Sequence, residues 1–132
     1  MSTLPQAPKG SVKNTPIYRT ALQLLQFTIK ETAHFTKQMR PTLGKMLIED
    51  TVILIGRICK ANAAQDKYDH LTEVLNLTEA IEAMWQAAYE VRVINTKALA
   101  GSIDLTGSIS KQAGGWRKAF SQRRPSSPSV RA

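Results

Sequence analysis

The stretch VILIGRIC, Val52–Cys59, decides how this chain folds. β-Branched residues dominate it, so by propensity alone it passes for a buried strand. Its surroundings overrule that reading. Leu43, Leu47, Leu54, Ile55, Ile58 and Cys59 recur at helical spacing, with Met46, Ile48 and Val52 beside them, over about twenty residues. Strands rarely run so long, and the period is that of an amphipathic helix. With this segment helical, nothing else in the chain asks for a sheet. Gly56 inside the helix costs about 1 kcal/mol relative to alanine. It is therefore expected where a neighbouring helix comes close.

Working outward toward the N-terminus, Pro41 bars helix at Arg40, and Thr42 can cap the segment just described. Before it, Asn14 or Thr15 caps a first helix whose first position suits Pro16. Ile17, Ala21, Leu24, Leu25 and Thr28 form its stripe, widened by Leu22, Ile29 and Ala33, to about Lys37. Toward the C-terminus, Asn62 to Asp66 breaks the pattern. A third helix is expected from about Asp66 to Asn95, with Asp66, Asp69 and Glu73 at the positive end of its dipole. Leu71, Val74, Leu77, Ile81, Met84, Ala88 and Val91 line it, with Leu75, Trp85 and Tyr89 alongside. The fourth starts near Thr96 or Lys97 and reaches about Phe120. Leu99, Ile103, Ile109, Ala113, Trp116 and Phe120 are its inward set, and its many glycines and serines leave it dependent on tertiary packing. Short connections favour antiparallel neighbours, so the fold class is all-α, an antiparallel up-down four-helix bundle over residues 14–120. Residues 1–13, rich in Pro, Ser, Gly and Lys, and the basic tail 121–132 are expected to be flexible.

Apolar residues make up 42% of the 132, and no run is long enough to span a membrane. The first residues lack the apolar core of a secretory signal. The single cysteine, Cys59, cannot form an internal disulfide, and cytoplasm is the natural compartment. The net charge of +8 is unevenly spread. Residues 1–64 carry nine Lys/Arg against three acids, 65–110 three against seven, and 111–132 six with none. Two basic blocks around an acidic one suit a polyanion on one surface and a basic partner on another, although a solvated surface with a basic tail has the same composition.

Catalytic patterns are missing. His34 and His70 lie in different segments without zinc spacing, and no Glu-x-x-His pair builds a di-iron site. Glu49 and Asp50 diverge by about 100° on their helix and cannot grip one substrate; one pairs with Lys45 or Arg57. No phosphate loop or nucleophile–base set occurs. The reading is of a non-enzyme with no cofactor, no metal and no small-molecule substrate. The candidates for nucleic-acid contact are Lys37, Arg40 and Lys45 around the first connection and Arg57 and Lys60 on the second helix. Lys111, Arg117, Lys118, Arg123 and Arg124 join them on the fourth helix and tail, Arg117 and Lys118 facing solvent. Trp116 falls on the apolar stripe and is expected in the core, and Tyr18 and Tyr68 at boundaries.

Phe35, Lys37 and Thr42-Leu43-Gly44 before the second helix, the alternation Glu90-Val91-Arg92-Val93-Ile94-Asn95, and Gly114-Gly115-Trp116 stand in an order similar to a known family. Together they resemble the accessory variability determinant (Avd) proteins of diversity-generating retroelements, over roughly residues 15–120. That resemblance implies a small non-enzymatic protein assembled as a cyclic homopentamer of four-helix bundles. It implies binding to the element's reverse transcriptase and to template RNA or RNA–DNA intermediates, in support of mutagenic retrohoming. The chain departs from the family at Glu82 and Gln86, where relatives often carry arginine, and at Pro41, moved from beside Phe35. Bundle proteins encoded in ribosomal RNA intervening sequences share the fold and a Gly-rich ending. They usually carry a small-residue, Asn-containing run where this chain has TVILIGRICKAN. A protein–protein scaffold bundle is the third reading.

Overall fold

The computed structural model describes residues 11–123. The expectations for residues 1–10 and 124–132, Arg124 included, lie outside them. Four helices follow one another: α1 Pro16–Thr32, α2 Lys45–Ala63, α3 Tyr68–Glu90 and α4 Thr96–Arg123. Each packs on the next and α4 closes on α1. The pairs Gln112–Thr20, Arg57–Glu73 and Arg117–Thr72 set all neighbours antiparallel. The result is the all-α bundle that the periodicity called for. The connections α1–α2 and α3–α4 lie at what we call the upper end; the lower end holds the start of α1, the α2–α3 connection and the last turns of α4.

α1 starts as its residues dictate. Thr15 accepts from the Tyr18 N–H at 3.4 Å and Pro16 takes the first position. It stops five residues before Lys37, because the chain turns there to bury Phe35, which is only 5% exposed. A π-helical turn, Arg40–Gly44, leads into α2, with the Gly44 N–H donating to Met39 O at 2.9 Å. Helical geometry thus begins at Arg40, ahead of Pro41, whose missing N–H costs nothing in a first turn. Thr42 does not cap: its hydroxyl donates to the carbonyls of Gln38 and Met39. α3 ends at Glu90, before the expected Asn95, in a Schellman arrangement. The Val93 N–H donates to Ala88 O and the Arg92 N–H to Tyr89 O, with Arg92 at φ 66. Asn95 then caps α4, its Oδ1 accepting from the Ala98 N–H at 2.9 Å.

The core joins Ile17, Ala21, Leu24, Leu47, Leu54, Ile58, Val74, Ile81, Ala88 and Ile109 around Trp85. Trp85 is fully buried, its ring 5.3 Å from that of Phe27. Hydroxyls interrupt this core on every helix. Thr28, Thr51, Thr78 and Thr106 are fully buried, and each donates to the carbonyl one turn back. That bond removes the cost of burying the group. The same device shifts the register of α4: Ser102, bonded to Leu99 O, sits inside and Ile103 is 40% exposed, contrary to its inward assignment. Val91 is exposed too, since α3 has already ended. Gly56 meets nothing and is exposed, so the expected close approach is not there. It occurs instead at Gly101, where an added Cβ would stand 2.8 Å from Phe27 Cε1.

Candidate nucleic-acid interface

Antiparallel packing divides the candidate cations between two ends about 30 Å apart, the length of α2 at 1.5 Å per residue. Lys37, Arg40 and Lys45 are exposed at the upper end, as are Arg92 and Lys97, which the sequence did not single out. Lys60, Lys111 and Lys118 are exposed toward the lower end, with Lys13 and Arg19. Between them lie Glu79, Glu82 and Asp104, while Glu73 stands in the lower part of α3, next to the Thr72 that Arg117 reaches. The blocks of the sequence do not map one to one onto the bundle: the basic block 1–64 is divided between both ends, and Asp66, Asp69 and Glu90 of the acidic block stand at the two ends of α3.

Several candidates are engaged internally. Lys45 Nζ lies 3.7 Å from Glu49, both well exposed, which is the pairing expected for that carboxylate. Arg57 instead reaches across to α3 and bonds Glu73 at 3.2 Å. Exposed pairs like these contribute little to stability, but they reduce the free charge each residue offers. Arg117 was expected to face solvent and does not. It is half-buried, donates from Nη1 to Thr72 Oγ1 at 3.0 Å, and lies 5.3 Å from the centre of the Tyr68 ring. Arg117 joins α4 to α3.

The sequence analysis also missed Lys67. Its ammonium donates to the carbonyls of Ala61, Asn62 and Ala64 at 3.2, 2.8 and 2.6 Å, where α2 leaves its last carbonyls without helical partners. The same nitrogen lies 5.8 Å from the centre of the Trp116 ring. A lysine four residues beyond a helix end carries no local signal that it will fold back. Trp116 in turn is half-buried, not a core residue: it packs on the lower edge of the core and lines an open cleft with Thr15, Pro16, Ile17 and Gln112. The side chain of Arg123, in the last turn of α4, lies outside the description.

A different surface runs along α1 and α2. Leu22, Leu25 and Ile29 on α1 and Ile48 and Val52 on α2 lie outside the core cluster, with Leu22, Ile29 and Val52 between 37% and 52% exposed. Among the described residues no helix is long and apolar enough to cross a membrane, and no three His, Cys, Asp or Glu side chains gather as a metal would need. Comparison with protein-family models, curated proteins and solved structures returns no match. What the chain can be identified as, on its own geometry, is an all-α four-helix bundle with exposed cations toward both ends.

Proposed function

We propose that this protein is a non-enzymatic accessory factor of a diversity-generating retroelement, holding template RNA and reverse transcriptase together as a cyclic homopentamer. The observation that carries the reading beyond the sequence resemblance is the collection of exposed Lys13, Arg19, Lys60, Lys111 and Lys118 toward one end of the bundle. Repeated around a ring, such an end presents a dense field to phosphates, and affinity rises with the number of subunits engaged. The mid-bundle acids Glu79, Glu82 and Asp104 suit a basic surface on the polymerase. The exposed apolar side chains of Leu22, Ile29 and Val52 support the protein–protein part of the reading, and equally a pure scaffold bundle. The ribosomal intervening-sequence type remains the family alternative.

Light-scattering mass in solution, with and without a structured RNA at low and moderate salt, tests this. The expected result is a mass near five subunits that rises with RNA and loses the increment as salt increases. Charge reversal at Lys111 and Lys118 together should reduce RNA affinity and flatten its salt dependence by roughly 0.7 in log–log slope per lost contact. A pentamer indifferent to RNA would leave the scaffold reading. A monomer indifferent to RNA would remove both.

A further inference from the structure

We propose that the cleft between the first turn of α1 and the late turns of α4 is a stacking site for one unpaired RNA base, with the neighbouring phosphates held on its rim. The inference rests on the RNA-binding reading above and assigns that reading a specific subsite.

Shape and lining come first. The cleft measures about 200 Å³ and is lined by Thr15, Pro16, Ile17, Gln112 and Trp116. That is smaller than the roughly 300–1,000 Å³ of drug-sized sites and suits a single flat ring system. Its walls are mainly apolar and include an indole and a proline ring, the kind of surface on which a base stacks regardless of its identity. Trp116 can serve because it is only half-buried, whereas Trp85 is sealed in the core. Gln112 supplies a polar edge. Its Nε2 donates to Thr20 Oγ1 and Ser108 Oγ, both at 3.0 Å. That holds the amide in place and leaves its Oε1 as an acceptor without a partner among the described residues, suited to a base N–H.

Charge then selects the ligand. Lys13, Arg19, Lys111 and Lys118 are all exposed on the two segments that frame the cleft, Arg19 one helical turn on from Pro16. Neither framing segment, 11–30 nor 105–123, contains an acid. Asp66 and Asp69 belong to the α2–α3 connection and the first turn of α3, which packs on α4 beside the cleft, and there the Lys67 ammonium lies 5.8 Å from the centre of the Trp116 ring. An apolar slot for a flat ring, with the Lys67 ammonium over its indole and exposed cations on both framing segments, matches a base attached to phosphates. It matches unpaired RNA better than duplex, whose bases are already stacked on each other and unavailable.

The test uses the full chain and single-stranded hexaadenylate, read by tryptophan fluorescence and by anisotropy of labelled RNA. Trp85 supplies an internal background that the RNA cannot reach. Hexaadenylate is expected to quench part of the emission in the wild type, a blunt RNA duplex to quench far less, and Trp116→Leu to abolish the quenching. Trp116→Leu should bind hexaadenylate about 5- to 150-fold more weakly, while Trp116→Phe keeps most of the affinity. If Trp116→Leu loses its helical circular dichroism, quenching in the wild type decides alone. Binding without quenching overturns the stacking site and leaves RNA binding standing, as does quenching by duplex equal to that by hexaadenylate. Failure to bind either RNA at low salt overturns the RNA reading and this site with it.

Discussion

The upper end of the bundle is closed by apolar side chains and backbone bonding, the lower end by cations. Above, Phe35 and Ile94 are buried, the π-helical turn carries the chain into α2, and the Schellman bonds finish α3. The side chains of Lys37, Arg40, Arg92 and Lys97 take no part in that closure and stand exposed. Below, Lys67 ties up the carbonyl end of α2 and Arg117 fastens α4 to Thr72 and Tyr68. Both ends are basic by composition, yet they differ in which charges a partner can reach. Counting lysines and arginines along a sequence overstates what the lower end offers a partner, because Lys67 and Arg117 are engaged there. A cation that satisfies buried or terminal carbonyls is part of the scaffold, and its removal registers as lost stability before it registers as lost binding.

Three substitutions probe that contrast. The largest effect is expected from Phe35→Ala, which should destabilise the fold by about 3–5 kcal/mol, as for other buried aromatics. Denaturant unfolding measures it, and a loss below about 1 kcal/mol would show that the upper end closes without its apolar plug. Next comes Lys67→Met, which keeps the aliphatic stem but removes three charge-assisted bonds. A loss of about 1.5–3 kcal/mol is expected by the same measurement. Stability equal to wild type would return Lys67 to the pool of free surface cations. The smallest effect has the opposite sign. Arg92 holds a positive φ of 66, which L-residues adopt at a cost of roughly 1–2 kcal/mol and glycine adopts freely. Arg92→Gly should therefore stabilise by about 1 kcal/mol, visible as a rise in melting temperature. A fall would mean that the Arg92 side chain makes compensating contacts, and that the upper end too is held by a cation.

The helices themselves were legible because each signal is local. Thr15 and Pro16 start α1 within their own first turn, and the stripe Leu47–Leu54–Ile58 repeats within one helix whatever it packs against. Errors arose wherever a polar residue hid inside or an apolar one did not. Ser102 and Thr106 carry hydroxyls that their own helix satisfies, so a hydrophobic pattern passes over them and settles on Ile103. α1 was read too long because Phe35 continues the helical period, while the bundle gains more by turning the chain and burying that ring. Gly56 and Gly101 look alike in sequence; only the position of Phe27 distinguishes them.

The sequence by itself therefore determined that there are four helices, roughly where they start, and that acids concentrate in the third. Hydrogen bonding and amphipathic period act over three or four residues and can be read there. Tertiary structure alone decided which cations are free, where the helices approach closely, and that Trp116 meets solvent at a cleft. Those outcomes depend on partners such as Thr72 for Arg117, 45 positions away, and Thr20 for Gln112, 92 positions away. Spacing along a chain cannot encode a contact whose two halves are brought together only by the packing of different helices.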